Sequence, residues 1–166
     1  MTQAGKVIGY APGVFDVFHM GHLNILLRAK EHCDYLIVGV VTDERVQAVK
    51  GTTPMMPLDE RRELVAALDL VDQVVDDDST DKVQMWEALH FDVIFKGDDW
   101  RGTPKGDLLE AGMAGVGARV VYFPYTKHVS STRLRELINA ANAGQTKLRD
   151  EPTDAERTSL SGEEPK

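Results

Sequence analysis

Apolar and polar positions alternate in blocks along most of the chain, and the period of the pattern differs from block to block. Residues 35–41 form a nearly unbroken apolar run, which is typical of a parallel strand that is covered on both faces. After residue 20, Leu23, Leu26 and Leu27 share one face at helical spacing. The predicted strands are residues 6–10, 35–41, 71–75, 93–95 and 119–123, and the predicted helices begin near residues 20, 43, 57, 81, 108 and 130.

The order of these elements predicts the fold class. Strands and helices alternate at the spacing of β-α-β units, which favours a parallel sheet with helices on both faces. With right-handed crossovers, this gives a Rossmann-like, doubly wound α/β fold with one five-stranded sheet. Ligands of such sheets bind beyond the carboxyl ends of the strands, so functional residues are expected in the loops that follow the strands.

The composition of the chain changes after Gly144. Residues 145–166 are charged and rich in Thr, Ser, Glu and Pro, and Leu148 and Leu160 are almost their only large apolar residues. Such a segment buries too little apolar surface to offset the entropy lost on ordering. We therefore predict one folded domain over residues 1–144 and a disordered acidic tail over residues 145–166.

Charge and cysteine content narrow the class of protein. The 166 residues carry a formal net charge of -8, which argues against binding to nucleic acid or to an anionic membrane surface. The sequence has neither a signal-peptide pattern nor an apolar run long enough to span a bilayer. Its single cysteine, Cys33, cannot form an intrachain disulfide. These features predict a cytoplasmic protein with neither nucleic acid nor membrane as a partner.

The first candidate site joins the first strand to the first helix. Residues 13–22 place His19 and His22 three residues apart where the helix begins, with Gly21 between them. Both rings can face one spot beside the free backbone N–H groups of the first turn, where imidazole can donate to phosphate oxygens. The alternatives are two structural histidines, or a zinc site for which no third ligand at metal spacing is evident.

A second candidate segment, residues 96–100, follows the fourth predicted strand. The carboxylates of Asp98 and Asp99 can orient sugar hydroxyls or a divalent cation, and Trp100 can stack on a ligand. The alternative is an ordinary turn with solvated acidic residues.

A third candidate segment, residues 128–132, opens the last helix. Its hydroxyl groups and first-turn amides can hold a phosphate, or they can simply cap the helix. Lys50 and Arg61 add positive charge, although each alone is more often a solvated surface residue.

Together these segments resemble the cytidylyltransferase-like nucleotidyltransferases. Residues 13–22 are similar to the GxFDxxHxGH signature of that family, and residues 130–132 are similar to its second, hydroxyl-rich signature. Lys50, followed by residues 57–62, resembles the lysine and the Glu-Arg pair between the two signatures. Residues 97–100, Gly-Asp-Asp-Trp, resemble the form found in glycerol-3-phosphate cytidylyltransferases.

The resemblance implies a reaction. CTP and glycerol 3-phosphate would give CDP-glycerol and pyrophosphate by direct in-line attack, with Mg²⁺ bridging phosphate oxygens and no metal ligand assigned to the protein. It also implies a homodimer and a product destined for cell-envelope polymers such as teichoic acid or capsule. The alternatives are another phosphorylated alcohol or a phosphonate as acceptor (ribitol phosphate, phosphoethanolamine), adenylyl transfer from ATP, and a non-catalytic nucleotide sensor.

The resemblance also implies roles for single residues. His19 and His22 would hold the CTP phosphates, Lys50 and Arg61 would neutralise phosphate charge, and Lys82, with Lys50, would bind the acceptor's phosphate. The residues expected around the nucleotide are Gly13, Val14, Phe15, Asp16, Gly21, Gly97, Asp98, Asp99, Trp100, Tyr125, Val129, Ser130, Ser131 and Thr132.

The chain departs from the family pattern at Tyr125. The family form reads Arg-Thr-Glu-Gly where residues 125–128 of this chain read Tyr-Thr-Lys-His. A contact to phosphate or base is therefore missing, or is supplied by Lys127, Arg133 or Arg135. This departure bears on the acceptor more than on the reaction class.

Overall fold

The computed structural model describes residues 5–126 and 130–149, with side chains described as far as residue 143. One compact unit ends at Ser131 and a second begins at Thr132. The strands are β1 (Ile8–Gly13), β2 (Tyr35–Val41), β3 (Gln73–Asp77), β4 (Val93–Gly97) and β5 (Arg119–Phe123). The helices are α1 (Met20–Lys30), α2 (Asp43–Lys50), α3 (Leu58–Ala66), α4 (Lys82–Leu89), α5 (Pro104–Val116) and α6 (Ser131–Arg149), and a 3-10 turn (Asp98–Trp100) follows β4.

The five strands form one parallel sheet in the order β3-β2-β1-β4-β5. The chain moves from β1 outward to β2 and β3, and then returns to the other side of β1 to form β4. The strand order therefore reverses beside β1, and the crevice at the carboxyl ends of β1 and β4 is where ligands bind in such sheets. The predicted doubly wound α/β fold is confirmed.

Two hydrophobic cores cover the two faces of the sheet. Successive residues of β2 alternate between them: Leu36 and Val38 belong to one core and Ile37 belongs to the other. The first core contains buried residues of α1 and α3, namely Leu26, Ala29 and Val65. The second core contains buried residues of α4 and α5, namely Met85, Leu109 and Met113. Helices on both faces explain why β2 is apolar along its whole length.

Several boundaries differ from the sequence prediction. Strand β3 lies two residues later than predicted, and β4 continues to Gly97, so Lys96 belongs to the sheet rather than to a loop. Helix α5 begins at Pro104, four residues earlier than predicted, because the Thr103 side chain accepts a hydrogen bond from the Gly106 amide and proline suits the first helical turn.

The last helix is longer than its hydrophobic pattern predicted. Helix α6 reaches Arg149, so residues 145–149 are helical where the sequence predicted the start of the disordered tail. The segment from residue 139 is rich in Ala and other good helix formers, which extend a helix without needing buried apolar contacts. The rest of the predicted tail, residues 150–166, lies outside the described residues.

Two helices each leave one leucine exposed beside a buried apolar residue. Leu27 of α1 and Leu64 of α3 are exposed, whereas the residues next to them, Leu26 and Val65, are fully buried. The position one turn before Val65 is taken by Arg61, which is also fully buried. None of the helices in the described ranges is long and apolar enough to cross a membrane.

A pair of glycine substitutions tests the packing of the central strands. A Cβ at Gly39 would lie 2.1 Å from the hydroxyl of the buried Tyr10, whereas a Cβ at Gly115 would have nothing within 4 Å. We expect Gly39→Ala to lower the free energy of unfolding by about 1–3 kcal/mol. Gly115→Ala, within a helix, should instead raise it by about 0.5–1 kcal/mol. Urea denaturation of both variants measures the difference, and equal effects would contradict the packing.

Candidate active site

The loop between β1 and α1 has an unusual backbone. Phe15 and Val17 both have positive φ angles, of 54° and 49°, in the left-handed region that non-glycine residues rarely adopt. The ring of Phe15 is buried in the first core and folds back over Gly13, where a Cβ would lie 3.0 Å from it. Strained residues of this kind persist where surrounding contacts fix them, and they cluster at functional sites.

The two histidines of this loop are bonded to the first turn of α1. His19 is the N-cap, and its Nδ1 accepts a hydrogen bond of 3.0 Å from the Gly21 amide. In return, Nδ1 of His22 accepts from the His19 amide at 3.3 Å. The two rings stack with their centroids 3.9 Å apart, and the His22 ring also packs against Phe15 and Phe18.

These hydrogen bonds determine the tautomer of both rings. Because Nδ1 accepts in each case, the neutral imidazole carries its proton on Nε2. Burial lowers the pKa of His22 to about 3, helped by its neighbour His19 and opposed by Asp16. Burial also lowers the pKa of His19. Near pH 7 both histidines are therefore neutral, and each has an Nε2–H group as a hydrogen-bond donor.

Ser131, the first residue of α6, meets this pair. Its hydroxyl donates a hydrogen bond of 2.6 Å to the backbone carbonyl of Asp16 and lies 3.3 Å from Nε2 of His19. The first and third candidate segments, which are more than a hundred residues apart in the sequence, thus meet at one place. Thr132 belongs to the second compact unit and Val129 lies outside the described residues, so their predicted contacts stay predictions.

Asp16 connects this loop to the segment before α3. The side chain is 1% exposed, and its two carboxylate oxygens accept hydrogen bonds of 3.0 Å from the amides of Met55 and Met56. Asp16 therefore holds the loop after β1 against the segment before α3 through bonds to backbone amides.

Arg61 also connects neighbouring loops, mainly through contacts with backbone carbonyls. Its guanidinium donates to the carbonyls of Val14, Val41 and Met56 at 2.7, 2.8 and 3.0 Å, and it pairs with Asp43. These contacts connect the loops after β1 and β2 to the start of α3. Because Arg61 is fully buried on protein groups, its predicted role in neutralising phosphate is not visible in this geometry and stays a prediction.

The second candidate segment is bonded to the chain that follows β5. Asp98 accepts a hydrogen bond of 3.0 Å from the Tyr125 amide, which joins the ends of β4 and β5. Asp99 lies beside Gly97, where a Cβ would be 2.5 Å from its carboxylate. The Tyr125 side chain, at the position of the family's arginine, is exposed. The acidic segment and Tyr125 are therefore neighbours, as their positions after adjacent strands required.

The predicted acceptor lysines differ in their surroundings. Lys50 is the exposed last residue of α2. Lys82, at the start of α4, has its ammonium 2.5 Å from Asp77 and 2.9 Å from the Ser79 hydroxyl. Asp77 is fully buried and also accepts a hydrogen bond from Tyr10. Burial raises the pKa of Asp77, but Lys82, Ser79 and Tyr10 together outweigh that effect and hold it below its usual value.

Sequence reasoning assigned no role to Tyr10, Asp77, Ser79 or Lys96, which lie near Lys82. The one available signal was Lys96 itself, a charged residue that ends the apolar run of β4. Among the described residues there is also no group of three or more His, Cys, Asp or Glu side chains arranged to hold a metal ion.

Comparisons with known proteins agree with the motifs. A family model described as Cytidylyltransferase-like matches residues 10–137. The glycerol-3-phosphate cytidylyltransferase of Bacillus spizizenii is 35% identical over 132 residues, which cover 79% of this chain and 95% of that protein. The bifunctional protein HldE of Hyphomonas neptunium is 33% identical over 136 residues, 79% of this chain and 27% of that protein. The chain spans about a quarter of the length of the HldE proteins that it matches.

Solved structures with the same architecture are also similar. The lipopolysaccharide core biosynthesis protein of Thermoplasma volcanium has a TM-score of 0.63 and 26% identity, and the match covers 75% of this chain and all of that protein. The pantoate-beta-alanine ligase of Francisella tularensis has a TM-score of 0.60 at 16% identity, covering 88% of this chain and 72% of that one. The second likeness concerns the fold alone.

The lowered pKa of His22 predicts a pH dependence of stability. Between its unfolded value of 6.5 and its folded value of about 3, the unfolded chain binds a proton that the folded chain does not. The free energy of unfolding should therefore fall as pH is lowered from about 7 to about 5, and it should fall less in His22→Asn. Denaturant titrations at each pH measure this slope. His90→Asn, at an exposed position, should keep the wild-type slope, and an unchanged slope in His22→Asn would contradict the burial argument.

Proposed function

Because the chain belongs to the cytidylyltransferase-like family, we propose that it joins CTP to a phosphorylated alcohol, with glycerol 3-phosphate as the leading acceptor, and releases pyrophosphate. One observation carries the proposal. The two Nε2–H donors lie at the opening of α1, and the Ser131 hydroxyl lies 3.3 Å from Nε2 of His19. The identity to the glycerol-3-phosphate cytidylyltransferase, which the chain covers almost completely, supports this acceptor.

The proposed reaction is a direct displacement at phosphorus. An oxygen of the acceptor's phosphate attacks the α-phosphorus of CTP, a new P–O–P linkage forms, and the bond to the leaving pyrophosphate breaks. The attacking oxygen is already anionic, so no proton has to be removed from it and no covalent intermediate with the protein is needed. The contribution of the chain is to align the two substrates and to stabilise the charge that develops on the phosphate oxygens.

The histidines suit that task in their neutral state. Each Nε2–H group can donate to a non-bridging phosphate oxygen, while the Nδ1 bonds to the backbone keep both rings in position. The amino end of α1 adds the partial positive charge of its unpaired amides. Ser131 can exchange its contact with His19 for one with a phosphate oxygen, and Ser130 directly precedes it in the chain.

Mg²⁺ is part of the proposal, and the described residues fit a particular way of holding it. The Asp16 carboxylate and Oδ1 of Asp98 already accept backbone hydrogen bonds, and the described chain offers no cage of three or more metal ligands. This donor set suits a cation that is held mainly by triphosphate oxygens and water. Such an ion would neutralise phosphate charge during the displacement.

A different acceptor is the principal alternative. HldE proteins match at about the same identity as the glycerol-3-phosphate enzyme, and one similar solved structure carries the name of a lipopolysaccharide core biosynthesis protein. Tyr125 in place of the family's arginine also favours a changed contact near the acceptor. The resemblance further implies a cytoplasmic homodimer without a nucleic-acid or membrane partner, and we keep these properties as part of the proposal.

A substrate panel tests the proposal. Purified protein is incubated with Mg²⁺, CTP or ATP, and one of glycerol 3-phosphate, ribitol phosphate, phosphoethanolamine or a sugar 1-phosphate, and pyrophosphate release is followed. We expect CTP with glycerol 3-phosphate to give the highest kcat/KM. Turnover of a different acceptor with CTP would correct the substrate, and turnover with ATP would correct the nucleotide. No release of pyrophosphate in any combination would contradict catalysis and leave a nucleotide sensor.

The histidine donors predict the effect of their removal. His19→Ala and His22→Ala should lower kcat about 10²–10³-fold, because each removes a donor to the oxygens on which charge develops. The control is His90→Asn, which replaces an exposed histidine at the end of α4, away from the carboxyl edge of the sheet. Circular dichroism verifies the fold of all three variants. Near-normal kcat in either histidine variant would remove that residue from the mechanism.

A further inference from the structure

Lys96 is a partly buried cation with no anionic partner in the part of the chain that the structure describes. It is the next-to-last residue of β4, and its ammonium lies 4.2 Å from the centroid of the Trp100 ring. No hydrogen bond or ion pair with another described residue satisfies it. Part of the Lys96 side chain remains accessible to solvent, and an ammonium that is only partly withdrawn from water is stabilised when an anion binds beside it.

Four charged groups act electrostatically on Lys96. They are two lysines, Lys82 and Lys50, and two carboxylates, Asp77 and Asp99. Of the carboxylates, Asp77 is already bonded to Lys82, Tyr10 and Ser79. Burial, together with Lys82, lowers the pKa of Lys96 to about 7, and a bound anion would reverse that effect.

Lys82, in contrast, is poorly placed to take on a new anion. Its ammonium is bonded to a carboxylate that is fully buried, and moving it toward a ligand would leave Asp77 without its counter-charge. Lys96 has no such pair to break. The cation–π contact with Trp100 holds its side chain near one position without neutralising it.

The location of Lys96 fits the second substrate. The carboxyl end of β4 borders the crevice beside β1, and Asp98, two residues later, bonds to the chain beyond β5. Lys96 belongs to the sheet face of Tyr10 and Trp100, whereas Phe15 and Phe18, which pack on His22, belong to the opposite face. A phosphate near Lys96 would therefore approach the strand ends from the side of α4 and α5.

We propose that Lys96, rather than Lys82, is the principal cation that binds the phosphate of the acceptor, and that the Asp77–Lys82 pair forms the wall of that binding site. This inference rests on the proposed function for the identity of the ligand as an acceptor. The positive charge of the Lys96 ammonium favours an anionic ligand, and a phosphate monoester is one such ligand.

Kinetics of four lysine variants test this assignment. For Lys96→Met we expect KM of the acceptor, glycerol 3-phosphate, to rise about tenfold or more while KM of CTP stays within about twofold. Lys96→Arg, which keeps the charge, should recover most of that loss. Lys82→Met should lower the melting temperature, because Asp77 loses its counter-charge. It should raise the acceptor KM less than Lys96→Met does. The matched control is Lys6→Met, which removes an exposed lysine before β1, at the opposite edge of the sheet, and it should change neither KM.

Calorimetry separates this proposal from the proposed function. Glycerol 3-phosphate and inorganic phosphate are titrated into the wild type and into Lys96→Met, in the presence of a non-hydrolysable CTP analogue. Weaker binding to Lys96→Met than to the wild type supports the site. It does so even if the wild type releases no pyrophosphate, because absence of pyrophosphate release would contradict only the enzymatic proposal. Equal binding to both proteins, no binding to the wild type, or a larger loss of affinity in a folded Lys82→Met variant would overturn the assignment to Lys96.

Discussion

The geometry of the candidate site depends on two charged side chains that do not reach solvent. Asp16 and Arg61 are 1% and 0% exposed. Asp16 accepts hydrogen bonds from backbone amides, and Arg61 donates mainly to backbone carbonyls. Asp16 binds two amides before α3, and Arg61 binds carbonyls that follow β1 and β2. Because buried charges are tolerated only when their polar atoms are satisfied, these bonds fix the loops to one another. His19 and His22 lie where the loop after β1 enters α1, and that loop is one of the loops held in this way.

Two parts of the candidate site differ in their electrostatics. At the opening of α1, burial keeps His19 and His22 neutral, so they contribute directed N–H donors rather than net charge. On the side of α4, the lysines contribute charge, although Lys82 is matched by Asp77 and Lys96 is not. Although the protein has a formal net charge of -8, as many lysines as carboxylates act on Lys96 at this place.

The sequence predicted the features that depend on local pattern. The apolar run of β2 gave its bounds as residues 35–41, and the spacing of His19 and His22 at a helix opening predicted their shared position. The meeting of Ser131 with His19 followed from strand order and the family signatures, not from either segment alone. Features that depend on distant partners were missed. No pattern shows that Arg61 is buried on three carbonyls, or that Tyr10 and Lys82 share Asp77, because those partners come from other strands and loops.

A crystal structure with a non-hydrolysable CTP analogue and Mg²⁺ tests the central claim most directly. The account predicts phosphate oxygens at hydrogen-bonding distance, about 2.7–3.2 Å, from Nε2 of His19 and His22 and from the Ser131 hydroxyl. It also predicts that Asp16 and Arg61 keep their backbone contacts when the nucleotide is bound. A triphosphate bound elsewhere, with the histidine pair and Ser131 facing only protein or solvent, would contradict it.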